Sequence, residues 1–278
     1  MRYALVHPSR GRVARAREAL LEWRGRSSGA HPTEYLLSVD EDDPDLAAYG
    51  ALAQEQGVRL VTGKNRSVVD AANRAAGLAS ADLLIVVSDD FGCPERWDEA
   101  LAQVVGGRLR SAVLVHDGLA GAIMTLPIVG RDWYRELGYV YHPGYFSLFA
   151  DDDLTFHARS LGILIDARHL VFPHRHCSAG LSPEDATYRR QNELRHYWAG
   201  WRLFERRRVV GFGARRAGLE ARRRQLAVDT YYWTRTAGSR VRALWAGLLP
   251  TPLRRLECAA RTRALRLLGG LLRVDAPV

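Results

Sequence analysis

Cysteine, methionine and lysine are nearly missing from this chain, whose 278 residues hold three cysteines, two methionines and a single lysine, Lys64. Cys93, Cys177 and Cys258 are odd in number, far apart and form no CxxC pair, so neither a disulfide framework nor a cysteine zinc site is implied. Long apolar runs are missing too. No stretch approaches the ~18 to 20 uninterrupted apolar residues that span a bilayer. The N-terminus passes from a short apolar segment straight into HPSRGR, a pattern that does not suggest a signal peptide. A reducing, cytoplasmic setting is the expectation. With 47% hydrophobic residues the chain has material for a real core, which excludes disorder, collagen-like repetition and coiled coil as descriptions of the whole.

Acidic residues become scarce toward the C-terminus. Residues 1–189 carry 20 basic and 25 acidic side chains, a net of −5, whereas residues 190–278 carry 20 basic and 6 acidic ones, a net of +14. Two domains are therefore expected: an α/β domain over 1–188 and a basic, arginine-rich helical extension over 189–278. Such a tail is drawn to polyanions. Between 253 and 272, Leu253, Leu256, Ala260, Leu267, Leu268 and Leu271 fall near one helical face. Residues 239–278 thus suit the anionic inner face of a membrane, peripherally, and equally a basic helix packed on its own domain or on a partner. No zinc finger or RNP sequence occurs, so no specific nucleic-acid partner is expected.

The first part has a βαβ rhythm. Apolar runs at 3–7, 35–39, 58–61 and 83–87 alternate with helix-like spacing at 13–23, 46–56 and 68–78. Further strands are expected at 112–116, 122–126, 163–165 and 169–172, with a helix at about 154–160. This order predicts a mostly parallel central sheet flanked by helices. Ligands of open sheets gather beyond the carboxyl ends of the strands, which here carry HPSRGR, DEDDPD, TGKNRS and SDDF.

At the fourth of these ends stand Ser88, Asp89 and Asp90. Adjacent carboxylates repel and are costly to desolvate unless a cation or hydrogen-bond donors offset them. Hard oxygen ligands of this kind favour Mg²⁺ or Mn²⁺, completed by substrate phosphates. The alternative is a cap on the helix that begins near Pro94. A second acidic cluster, Asp151, Asp152 and Asp153, opens a helix, where carboxylates also suit the macrodipole. The third motif, His174-Arg175-His176, follows a strand. In an extended chain its two imidazoles point to opposite sides, so one ligates metal at most.

The segment from Asn65 through Asn73 and Gly77 into the strand 83–87 and Ser88-Asp89-Asp90 resembles the core signature of family 2-like glycosyltransferases of the GT-A fold. So does the run from Ala150 through Asp151, Leu154 and Arg159 to Gly162. The resemblance implies a Rossmann-like GT-A domain and an inverting, metal-dependent transfer of sugar from a UDP- or GDP-sugar to an acceptor hydroxyl, in bacterial glycan or glycolipid synthesis. It implies Asp90 as metal ligand together with His174 or His176, and Asp151 or Asp152 as catalytic base. Donor contacts follow at Pro8, Ser9 and Arg10 of the first loop, at Asp40, Lys64, Asn65 and Asn73, and at Ser88 and Asp89. Ser88 and Ala150 depart from the acids usual at their positions. Trp133, within the aromatic stretch 131–149, is the expected acceptor-stacking residue. The acceptor is a sugar, a lipid-linked molecule or a small molecule. Two other classes stand beside this reading: a sugar nucleotidyltransferase, which would want more than the one glycine of residues 7–12, and a non-catalytic polyanion- or membrane-binding protein on a degenerate scaffold.

Overall fold

The computed structural model describes residues 1–119, 121–176, 180–181 and 185–213. The chain divides into two compact units, residues 1–174 with 184–228, and residues 175–183 with 229–278. In the second, the amide of Leu181 donates to the carbonyl of His176. The expected helix at 253–272 and the membrane segment 239–278 lie outside the described residues, as does Cys177.

Among the described residues the first unit carries seven strands, β1 (Tyr3–Ser9), β2 (Thr33–Asp40), β3 (Arg59–Gly63), β4 (Leu83–Val86), β5 (Ala112–His116), β6 (Ile128–Gly130) and β7 (Leu164–Val171). They form one sheet in the order β3-β2-β1-β4-β6-β5-β7, in which only β6 runs antiparallel to its neighbours. The helices are α1 (Val13–Gly25), α2 (Leu46–Gln56), α3 (Val68–Leu78), α4 (Trp97–Val105), α5 (Arg131–Leu137), α6 (Ala150–Leu161), α7 (Ala186–Gln191) and α8 (Leu194–Val209). Among the described residues no helix is long and apolar enough to cross a membrane.

β1 and β4 lie mid-sheet and are buried along their whole length, which is why they read as unbroken apolar runs. Alternate side chains go to opposite faces. Ala4, Val6, Leu84 and Val86 join a core under α3, α5 and α6, while Tyr3, Leu5, Leu83 and Ile85 join one with Trp23 of α1 and Trp97 of α4. On α3 the buried residues include four alanines, Ala71, Ala72, Ala75 and Ala76, so the helix backbone can approach the sheet closely. Ser67 caps it by accepting from the amide of Asp70.

Three sequence expectations shift. The strand expected at 122–126 lies instead at Ile128–Gly130. The main chain of 122–126 is already committed: Met124 N donates to Thr155 Oγ1 and Thr125 N to the Ile123 carbonyl, each at 2.9 Å, while the Thr125 side chain donates to the buried carboxylate of Asp117. The runs at 163–165 and 169–172 merge into β7, paired with β5 through a register shift at Val115 and His116. The helix expected at 154–160 begins at Ala150, because its three acids occupy a first turn whose free amides favour negative charge. It ends at Gly162, whose φ of +69° turns the chain sharply into β7. α8 packs on α6 within the first unit.

Gly130 ends β6 against the carbonyl of Leu109, where a Cβ would stand 2.2 Å from the oxygen. Gly130→Ala is expected to cost about 1–3 kcal/mol, read as a shift in the urea midpoint. An unchanged midpoint would show that the Leu109 turn yields freely.

Candidate active site

The carboxyl ends of β1 and β4 meet over a buried acid. Asp89, just past β4, is 8% exposed and accepts two hydrogen bonds on Oδ1, from Ser9 Oγ at 2.8 Å and at His7 Nε2 at 2.9 Å. Arg12 Nη1 stands 3.6 Å from Oδ2. The other face of His7 meets the hydroxyl of Tyr35 at 2.5 Å, and Ser9 Oγ also meets the hydroxyl of Tyr49 at 2.7 Å. Burial raises the Tyr49 phenol to about 12, so it stays a neutral donor. Asp89 and Ser9, both expected as donor contacts, therefore spend their polar groups inside the protein. Pro8 is buried in the same strand. They shape the loop from behind.

Asp90 has the opposite placement. Half-buried at the cleft, its Oδ1 accepts from Ser88 Oγ at 2.5 Å, and its Oδ2 lies 3.3 Å from His174 Nε2. The His174 ring stacks on Phe91 at 4.1 Å, and residue 174 bridges Phe91 in antiparallel fashion. Residues 84 positions apart in sequence thus converge on one point. Of the two histidines expected as ligands, His174 makes this contact; His176 belongs to the second unit. Among the described residues no three His, Cys, Asp or Glu side chains form a metal-binding group. A carboxylate oxygen beside an imidazole nitrogen suits Mn²⁺, and two protein ligands suffice for a cation that takes the rest of its shell from phosphates and water.

At the ends of β2 and β3, Asp40 accepts from Arg10 Nη1 at 2.5 Å and from Asn65 Nδ2 at 2.8 Å. Arg10 also bonds Asp42, whose carboxylate is the main reason its guanidinium is held more firmly protonated than usual. Asn65 Oδ1 in turn accepts from Arg74 Nε. Arg10, Asp40 and Asn65 therefore form one cluster. Lys64 stands apart, largely exposed and 3.7 Å from Glu41. Asp43 is not the solvated loop residue its acidic run suggests: it is buried and accepts from the amides of Gly11 and Asp45, joining the β1 and β2 loops.

Two expected contacts have internal duties instead. Asn73 grips the loop after α5: its Oδ1 accepts from the amides of Val140 and Tyr141, and its Nδ2 donates to the Tyr141 carbonyl at 2.6 Å. Both ends of its amide thus bond this backbone. Trp133 is 1% exposed in the core under α5 and packs edge-on against His157, so it offers no face for an acceptor to stack on. Its burial follows from its place on the inward face of α5, next to Tyr134.

In α6, Asp151 and Asp152 are half-buried and Asp153 is buried. Asp151 Oδ1 accepts from the amide of Asp152 at 2.9 Å. Burial first, and the Asp151 charge second, push the Tyr141 phenol well above its ordinary range. The sequence reading missed Arg12 and Asp185. Arg12 makes a paired bond to Asp185 at 2.6 Å through Nε and Nη2, and Asp185 caps α7 by accepting from the amide of Tyr188. Arg190 of α7 donates to the Arg66 carbonyl. α7 is thereby tied across the β1 and β3 loops, a placement that no local pattern signals.

Asp89→Ala leaves His7 and Ser9 without their acceptor inside the protein and is expected to cost about 2–4 kcal/mol. Asp90→Ala, at the cleft, should cost clearly less. Urea denaturation measures both, and equal losses would contradict this division.

No family model matches the chain, and no curated protein matches it. Solved structures do. The S. aureus TarS 1-349 complex with UDP-GlcNAc superposes with a TM-score of 0.65 at 10% identity, covering 94% of this chain and 80% of that one. The mannosyltransferase PcManGT from Pyrobaculum calidifontis, in complex with GDP-Man and Mn²⁺, gives 0.59 at 16% identity, covering 99% and 81%. A longer TarS structure gives 0.57 at 10% identity, and the chain spans only 41% of its length. With its strand order, its single antiparallel strand and these superpositions, the chain has the GT-A fold that these structures share.

Proposed function

We propose that this protein is an inverting, metal-dependent glycosyltransferase that moves a sugar from a nucleotide-diphosphate donor to an acceptor hydroxyl. The observation that carries the reading is the meeting of Asp90 and His174 at the carboxyl end of β4, 3.3 Å apart. The neighbours support the donor class: TarS is complexed with UDP-GlcNAc and PcManGT with GDP-Man and Mn²⁺. Asp90 and His174 would hold Mn²⁺ or Mg²⁺, and a cation there supplies charge compensation for the departing diphosphate. Arg10, Asp40 and Asn65 form the polar cluster that receives the nucleotide, with Ser88 orienting Asp90 through its hydroxyl.

Inversion requires that a base take the acceptor proton as the hydroxyl attacks the anomeric carbon opposite the leaving group. Asp151 is assigned this role, with Asp152 as the alternative. The net +14 of residues 190–278 supports an acceptor presented at an anionic membrane face. Deleting residues 239–278 is then expected to abolish binding to anionic liposomes in a flotation assay.

Calorimetric titration of UDP and GDP, each with and without Mn²⁺, into the wild type and Asp90→Ala tests the donor site. The expected result is metal-dependent binding of one nucleotide that Asp90→Ala abolishes; no binding of either would overturn the proposal. Once a donor is known, Asp151→Asn is expected to lower transfer roughly 10²–10⁴-fold with nucleotide affinity retained. The same loss in Asp152→Asn alone would move the base by one residue.

A further inference from the structure

The third acid of α6 points into the protein. Asp153 is 3% exposed, and its Oδ2 accepts from Arg207 Nε at 2.5 Å and from the Tyr145 hydroxyl at 2.8 Å, while Oδ1 accepts from Arg207 Nη2 at 3.2 Å. A carboxylate this deeply placed is costly unless paired and hydrogen-bonded. Its partner comes from α8, at the start of the arginine-rich extension. Burial by itself would lower the Arg207 pKa, but the bond and charge of Asp153 outweigh it and the guanidinium stays firmly charged. Tyr139, His142 and His157 are the other titratable groups whose electrostatics feel Asp153.

A second grip lies one turn earlier. Phe149, the residue before α6, has φ of +71°, a left-handed conformation that a bulky aromatic residue adopts only under constraint. Its ring packs against Tyr197 at 5.2 Å and Phe204 at 6.0 Å, both on α8. Gly200 of α8 lies directly on this turn. A Cβ there would stand 2.6 Å from the Leu148 carbonyl oxygen and 3.1 Å from the Phe149 ring. Only a residue without a side chain lets the two backbones meet in this way.

Successive residues of an α-helix are rotated by about 100°, so Asp151 and Asp153 project about 200° apart. Anchoring Asp153 inward therefore turns Asp151 outward. We propose that α8 is the positioning element of the base: Arg207, through Asp153, and Gly200, through the Phe149 turn, fix the direction in which α6 starts and so the stand of Asp151 and Asp152. Arg207 is a positioning residue and touches no reacting atom. The kinetic part of this inference rests on the transferase reading, whereas the structural part does not.

The test uses the full chain as wild type, Arg207→Met, Arg207→Lys, Gly200→Ala and the pair Asp153→Asn with Arg207→Met. Amide hydrogen exchange over residues 149–155, calorimetric nucleotide affinity with Mn²⁺, and kcat with donor KM are measured for each. Arg207→Met and Gly200→Ala are expected to speed exchange at 149–155 while β1 stays protected. They should lower kcat roughly 10- to 100-fold with donor KM within about twofold. Arg207→Lys keeps the charge and should recover part of both effects; the double variant, which removes the orphaned carboxylate, should recover part of the protection. Unchanged exchange and kcat in Arg207→Met would overturn the inference. So would a uniform loss of protection, nucleotide affinity and kcat in which Arg207→Lys fares no better, because that is general destabilisation. If the wild type transfers no sugar, the proposed function fails on its own, and the exchange pattern still decides whether α8 sets the start of α6.

Discussion

Everything around the cleft depends on a buried carboxylate being satisfied. Asp89 joins β1 through His7 and Ser9, α2 and β2 through Tyr49 and Tyr35, and α7 through Arg12 and Asp185. An unpaired charge there would cost several kcal/mol, so its partners cannot be varied one at a time without penalty. Because those partners come from four elements, the constraint also sets the mutual placement of the strand ends. The adjacent Asp90 is displayed at the edge of a platform that its neighbour holds rigid.

The same division recurs wherever acids run together. In 40–45, Asp43 is buried on amides and Asp40 is buried on Arg10 and Asn65, while Asp42, which also takes Arg10, is exposed. In 151–153, Asp153 is buried on Arg207 and Tyr145 while Asp151 and Asp152 remain half-buried. Each run supplies at least one acid to the architecture and leaves another near the cleft. Consecutive carboxylates repel, and pointing them to different sides of the chain separates the charges while giving one of them internal donors. A substitution at the inner acid is thus expected to act on stability, and one at the outer acid on binding or turnover.

The extension beyond residue 188 is better understood from α8 than from composition. Its arginine content suggests a polyanion-seeking tail, yet Arg207 serves an internal carboxylate, and Gly200 and Phe204 serve the α6 start. A long, always-charged side chain is equally suited to a phosphate and to a buried Asp; composition cannot distinguish the two. What decides is whether a carboxylate from another element lies within reach.

Local pattern was enough for much of this protein. Apolar runs located β1 to β5, three helices appeared where their spacing placed them, and strand-end polar residues marked the cleft, because burial on both faces and helical periodicity leave their record within a few residues. That Arg10, Asp40 and Asn65 meet one another, and that Asp90 meets His174, is legible only in the fold. Local pattern failed where a side chain's duty is set by a distant partner. Asn73 holds the backbone of 140–141, Trp133 fills the core, Asp89 faces His7, and the alternating residues 122–126 give their donors to Thr155 and Asp117. Those outcomes were decided by tertiary structure alone, since a polar group's role depends on which donors and acceptors the fold brings within about 3 Å, and that choice is not written in the segment that carries it.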